Sequence, residues 1–210
     1  MRIVDRLNNF LRPVLSDRTI MEMNAKGLLI ETPIKPAQLQ PNSVDLTLGA
    51  TWKKVRPNDK ICMRDSINPA KETVYEEGYF KPLIIDGKES RPAYLLEPGE
   101  FILMASHEIL HIPNGILAFV QGRSSIARIG IQTEEAGLID AGFRGTITFE
   151  VYNETKYPIP LFEGMRVAQL YFYKAQKALH PYGSNGKGSK YQSQIEATGS
   201  RIYKDPEFHK

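Results

Sequence analysis

From residue 40 onward, apolar and polar positions alternate in short runs rather than in helical steps. Residues 43–48, 93–96, 101–108, 116–121, 146–153 and 167–173 are rich in branched and aromatic side chains, a composition that predicts β-strands. Pro98-Gly99, Pro113-Asn114-Gly115 and Glu163-Gly164 sit where the chain must reverse. The spacing predicts a mainly β body, a sandwich or jelly roll rather than alternating βα units. Only the start departs from it. Ile3, Val4, Leu7, Phe10 and Leu11 form an apolar stripe at helical spacing up to Pro13, and Ser16-Asp17 can cap a second short helix that Gly27 ends. Residues 56–91 are polar and irregular, which predicts an elaborated loop with no assigned role. Residues 182–210, rich in Gly, Ser, Lys and Gln, read on composition alone as a flexible end.

The chain has 210 residues, enough for one domain with a sizeable core and no visible linker. The expected organisation is a single domain over 1–210, with N-terminal helices in 1–27. There are 27 basic and 24 acidic residues, interspersed, so nothing announces the cationic footprint of a nucleic-acid polymer partner. Asp5, Asn8 and Asn9 interrupt any signal-peptide core, and no apolar run approaches bilayer length. The expectation is a cytoplasmic protein with no membrane partner. Cys62 is the single cysteine, which excludes an internal disulfide framework and a Cys-rich zinc site.

Two stretches can carry chemistry. Gly122 to Gly130, GRSSIARIG, follows a predicted strand. Its backbone amides, the Ser124 and Ser125 hydroxyls, and the charges of Arg123 and Arg128 suit an anion such as a phosphate. The same residues also fit a capped helical turn with solvated arginines. In the second stretch, Ala136 to Asn153, glycines mark turns around Ile139-Asp140 before a strand that places Thr146, Thr148 and Glu150 on one face. A carboxylate in mid-strand is costly unless it is used or paired. The alternative is an edge strand with Glu150 in solvent or paired to Arg128 or Arg144. The zinc-dependent nucleobase deaminases need H-x-E and P-C-x-x-C segments, and this chain has neither. His107 and His111 lack a third ligand at useful spacing and read as strand-end histidines.

Seven motifs in order carry a resemblance: LSDRTI, LQPNSVDLTLG, LEPGEFIL, QGRSSIARIG, GLIDAGFRGTITFEVYN, EGMRVAQLYF and HPYGSNGKGSKYQSQ, spanning about Leu15 to Arg201. The chain resembles the dCTP deaminases of the trimeric dUTPase-like superfamily, and especially the bifunctional dCTP deaminase/dUTPase branch. That resemblance implies a homotrimer of distorted jelly-roll subunits with shared active sites and a C-terminal segment, 182–210, that closes over nucleotide. It implies that Arg123, Ser124, Ser125, Ile126, Ala127 and Arg128 contact nucleotide, and that Asp140 holds the 3′-hydroxyl and helps direct water at the α-phosphate. Thr148, Phe149 and Glu150 would line the base pocket with Gln169 nearby. Tyr182, Lys190 and Gln194 would reach the phosphates. Glu150 would activate water for attack on C4 of cytosine, with Ser124 orienting that water and Arg128 holding the carboxylate ionised. Magnesium would ride on the triphosphate, with no direct protein ligand and no zinc.

The sequence departs from the family pattern in three places. Residues 131–140 are one residue short and carry Glu134-Glu135 where small or hydroxylated residues are usual, bordering the base pocket. Gly137-Leu138 resembles the Gly-aromatic pair of the bifunctional branch but has Leu where Phe or Trp is usual. The helix before Leu15 is extra. The preferred reading is conversion of dCTP to dUMP, favoured by Gly137 and by the IDAGFRG glycines, which leave room for water near the α-phosphate. A deaminase that stops at dUTP, a dUTPase, and a non-catalytic nucleotide sensor stand beside it.

Overall fold

The computed structural model describes residues 13–56, 67–134, 137–184 and 189–209. The first expected helix, Cys62 and Glu135 lie outside these residues. Helix α1 (Asp17–Asn24) forms where expected: the Ser16 hydroxyl accepts from the Thr19 amide at 3.5 Å, Asp17 stands in the first turn, and Ile20 is buried.

Strands follow in chain order: β1 (Leu29–Ile30), β2 (Leu39–Gln40), β3 (Ser43–Val55), β4 (Tyr75–Tyr79), β5 (Lys81–Ile85), β6 (Lys88–Leu96), β7 (Phe101–Ser106) and β8 (Leu110–His111). After them come β9 (Ile116–Gly122), the short helix α2 (Ser124–Ala127), β10 (Ile131–Glu134), β11 (Leu138–Ile139), β12 (Arg144–Gly145), β13 (Thr148–Asn153), β14 (Ile159–Phe162) and β15 (Arg166–Lys174). The largest sheet runs β10-β13-β7-β3-β15-β9-β11, with β2 and β4 also paired to β3. Sheets β1-β8-β12 and β14-β6-β5 complete the body. Neighbours far apart in sequence, such as β3 between β7 and β15, are the wiring of a distorted jelly roll. No helix among the described residues is long and apolar enough to cross a membrane.

Strand β3 organises the whole. It pairs with β15 through Val44–Thr47, then with β4 and β7 farther along, and a register shift between Leu48 and Trp52 bends it from one half of the sheet to the other. Ser43 to Gly49 are buried without interruption, because both faces of this half are covered. Phe149, Phe172, Leu46, Leu48, Ile102 and Met104 form the centre of the core.

Two expectations need correction. Residues 56–91 are not an irregular loop, since their described part holds β4, β5 and the start of β6. Asp86-Gly87, with φ of 51° and 73°, closes the β5–β6 hairpin, and exposed side chains along it mask the alternation. The flexible end is also ordered: residues 189–209 pack on the body, with Ala197 buried.

Glu100, at the reversal before β7, is buried and accepts from Lys54 Nζ (2.6 Å), the Tyr94 hydroxyl (2.7 Å) and the Glu97 amide (2.8 Å). Burial alone pushes this carboxyl up, but those three donors together hold it below the usual carboxylate range. A carboxyl depressed in the folded state stabilises above its unfolded pKa, and that contribution is lost as pH falls through the folded value. Glu100→Gln is therefore expected to cost about 1–3 kcal/mol in urea unfolding at pH 7. The gap to the parent should narrow as pH drops below about 4.

Candidate active site

Along β13, Phe149 and Val151 turn into the core while Thr148 and Glu150 stand half-buried on the opposite face. That face floors a cavity of about 470 Å³. Ile147, Thr148 and Glu150 form the floor, Phe101 and Leu103 of β7 one side, and Val120 with Gly137 to Asp140 another. Glu150 Oε2 is buried, whereas Asp140 is exposed at the rim. The lining is largely apolar, and among the described residues it includes no lysine or arginine.

The C-terminal segment roofs the cavity with Tyr191, Gln194 and Thr198 to Ser200. It is held largely by backbone groups. The Thr146 amide donates to the Gln194 carbonyl (2.9 Å), Gln194 Nε2 donates to the Thr146 carbonyl (2.7 Å), and the Ser193 amide donates to the Arg144 carbonyl (2.7 Å). Farther along, the Thr198 amide donates to Thr148 Oγ1 at 3.1 Å, beside Glu150. Glycines make this approach possible: a Cβ on Gly142 would lie 2.5 Å from the Tyr182 carbonyl oxygen, and one on Gly145 would lie 2.7 Å from that of Gln194. The room expected beside these glycines for a water is thus taken by the tail backbone.

Gln194 contributes more than its backbone. Its Oε1 is buried with no hydrogen-bond partner among the described residues. Tyr182 also lines the cavity, leaning on Phe143 at 5.8 Å between ring centroids and accepting from the Tyr191 amide at 2.9 Å.

The GRSSIARIG segment lies elsewhere in the chain. Ser124, Ser125 and Ala127 on α2 and Arg128 just after it are exposed, while Ile126 is buried and pins the turn. Arg123 anchors it. Its Nε lies 3.4 Å from Asp45 Oδ2, and its NH1 donates to the Arg166 carbonyl at 3.3 Å. Asp45 is wholly buried on β3 and also accepts from Arg166 NH1 (3.0 Å) and Gln169 Nε2 (3.4 Å). Two of the cations in reach of this aspartate thus compensate its burial.

Of the expected site residues, the cavity gathers Glu150, Thr148, Asp140, Gly137, Leu138, Tyr182 and Gln194. Phe149 was expected in the pocket wall, but strand alternation turns its side chain into the core. Arg123, Ser124, Ser125, Ile126, Ala127, Arg128 and Gln169 do not line it in one chain. Lys190 is held instead by both carboxylate oxygens of Asp205, at 2.6 and 2.7 Å. Arg144, a conceivable partner for Glu150, forms a bidentate pair with Glu31 at 2.7 and 3.1 Å. Glu134 stands opposite Glu150 in the β10–β13 register. Sequence reasoning missed Tyr75, Tyr191 and Thr198 to Ser200, whose surroundings read as irregular loop and flexible end. His111 hydrogen-bonds the Gly27 carbonyl through Nδ1 (3.2 Å), and no group of three or more potential metal ligands occurs among the described residues.

A family profile described as dCTP deaminase-like matches residues 14–175. A protein of Sulfurihydrogenibium sp. named "dCTP deaminase, dUMP-forming" is 37% identical over 193 residues, covering 91% of this chain and 98% of the relative. One of the same name from Persephonella marina is 39% identical over 194 residues, covering 91% and 98%. A "dCTP deaminase" of Halorubrum lacusprofundi is 38% identical over 200 residues, covering 93% and 94%. Among solved structures, the 2′-deoxycytidine 5′-triphosphate deaminase from Agrobacterium tumefaciens superposes with a TM-score of 0.59 at 25% identity, covering 80% of this chain. This chain spans about half the length of that crystallised chain (50%). With the profile covering most of the body and relatives aligned nearly end to end, the chain belongs to the dCTP deaminase-like family.

Proposed function

We propose that the protein deaminates dCTP and hydrolyses the resulting dUTP to dUMP and pyrophosphate, with Glu150 as the group that moves protons. The observation that carries this reading is a carboxylate with a buried oxygen on the floor of an apolar, roofed cavity of about 470 Å³. A pyrimidine ring fits such a space, and a largely apolar lining, which limits water once substrate is bound, makes a fixed carboxylate effective. Glu150 takes a proton from water as the oxygen attacks C4 of cytosine, then returns protons to N3 and the leaving amine, so that ammonia departs and a carbonyl remains. Gln194 Oε1, a buried acceptor on the cavity wall, is suited to a donor group of the substrate. Names of relatives that specify dUMP formation favour the second step, as does Asp140 at the rim, where a ribose 3′-hydroxyl and the α-phosphate would lie.

A triphosphate needs cations, and the cavity wall supplies none among the described residues. Exposed Ser124 and Ser125 on α2, with Arg128 at its end, offer an anion site without a base pocket. The two halves are complementary when a second copy of the chain brings its α2 to the cavity of the first, which favours a homotrimer with shared sites. In that assembly Ser124 orients the attacking water, and Arg128 keeps Glu150 ionised. Gln169 stiffens the Arg123 turn through Asp45, and Lys190 reaches the phosphates on exchanging Asp205 for them. Magnesium carried on the triphosphate would neutralise part of its charge, with no ligand from the protein itself. A free nucleotide as substrate favours a cytoplasmic protein.

Three outcomes are expected. Glu150→Gln should lower ammonia release from dCTP by about 10³-fold or more, while dCTP still binds in calorimetry. Full ammonia release by that variant would remove Glu150 from the mechanism. Asp140→Asn should let dUTP accumulate, with pyrophosphate release about 100-fold slower than in the parent. Co-expressing Glu150→Gln with Arg128→Ala, each inactive alone, should restore activity at about a quarter of the sites, because random assembly rebuilds intact shared sites. No recovery on co-expression would mean that each chain builds its own site.

A further inference from the structure

The stretch before β4 and the strand itself form the part of the chain for which the sequence offers no role, yet they touch the roof of the cavity. Tyr75 opens β4, opposite Val55 of β3, and both residues line the Glu150 cavity. The Tyr75 hydroxyl accepts from the Ser200 amide at 2.8 Å. Its ring lies so close to Gly199 that a Cβ there would be 2.2 Å from Cε2 and 2.7 Å from Cδ2 and Cζ. Nearby, the Tyr203 hydroxyl reaches Glu72 Oε1 at 3.1 Å, and the Ala197 amide donates to Thr51 Oγ1 at 3.2 Å. The roof is thus fastened at its far end to a strand paired with the central β3.

We propose that Tyr75 is a positioning residue for the reaction: its ring and hydroxyl seat residues 198–200 over the cavity that holds Glu150. The proposal rests on reading that cavity as the base site. Nucleotide enters with these residues lifted and is trapped when they settle, so the apparent affinity rises with the closing equilibrium. Tyr75 acts through the tail backbone, and Gly199 is the complementary half of the contact, since any side chain there collides with the ring. A partner on a paired strand fixes the tail better than one on a loop would.

Steady-state kinetics with dCTP on Tyr75→Phe and Gly199→Ala test this, with trypsin cleavage after Arg201 and Lys204 recording whether the tail is seated. Tyr75→Phe removes one hydrogen bond, so KM should rise about 3- to 10-fold and tryptic cleavage should quicken by a similar factor. The loss should fall on KM rather than on kcat. Gly199→Ala should have the larger effect on both readouts, and Tyr75→Ala in that background should recover part of it, because the collision is gone. The proposal is overturned if Tyr75→Phe leaves KM and cleavage unchanged, if its loss falls on kcat alone, or if KM rises only in step with a lowered unfolding midpoint. Glu150→Gln is assayed alongside. Should it still release ammonia, the base-site reading fails, while the tryptic readout reports on the Tyr75 contact regardless.

Discussion

Between Ala141 and Thr148 the chain commits its backbone hydrogen bonds to its own C-terminal segment as well as to neighbouring strands. The Ala141 carbonyl accepts from the Tyr182 amide, the Arg144 carbonyl from Ser193, and Thr146 exchanges bonds with Gln194. Glycines at 142 and 145 are the residues that let two backbones come this near. Because the same turn leads into β13, the tail is set against the strand that carries Glu150, and the carboxylate is enclosed by the act of docking. Without that clasp the floor of the cavity would face water, and a carboxylate in water has no advantage over any other surface acid.

Charge is sorted accordingly. Asp45 and Glu100 are each buried, and each is compensated by cations and donors from distant strands. Glu108, equally buried, accepts from Gln38 Nε2 and from the Thr47 amide and hydroxyl at 2.6–2.8 Å. These acids tie the body together. The arginines flanking α2 and the acids of the cavity sit in different places on one chain, and a nucleotide with an apolar ring at one end and phosphates at the other has the same polarity. In the proposed reading, the direction in which substrate would lie follows from where the cavity lacks cations.

Much of the body was legible in the alternation. β9 buries Ile116, Ala118 and Val120 in strict period two, and the predicted span 116–121 falls one residue short of it. α1 declared itself through Ser16, Asp17 and Gly27. Glu150 stood out because strand chemistry does not favour an acid there, although the pattern alone left open whether it faced solvent, an arginine or a cavity. The strand was less legible at its start: the Thr146 and Ile147 amides go to Gln194 and to Ser106 Oγ, so regular pairing begins only at Thr148. Phe149 was misplaced by grouping it with its neighbours instead of following the alternation to the core.

On composition alone, the tail and the 67–91 region escaped for one shared reason. Neither buries a periodic apolar face, and the two are tied by polar contacts to each other across a long stretch of sequence: Ser200 with Tyr75 and Tyr203 with Glu72. Composition registers the polarity and calls it loop. Contacts of this kind are individually weak, since each replaces a bond to water. A segment held by several of them stays in place yet comes away at modest cost, which is the property a roof over a nucleotide site requires. The illegibility of these regions and their suitability for closing a cavity thus follow from the same scarcity of hydrophobic anchors, with Phe80 and Ala197 the buried apolar residues they supply.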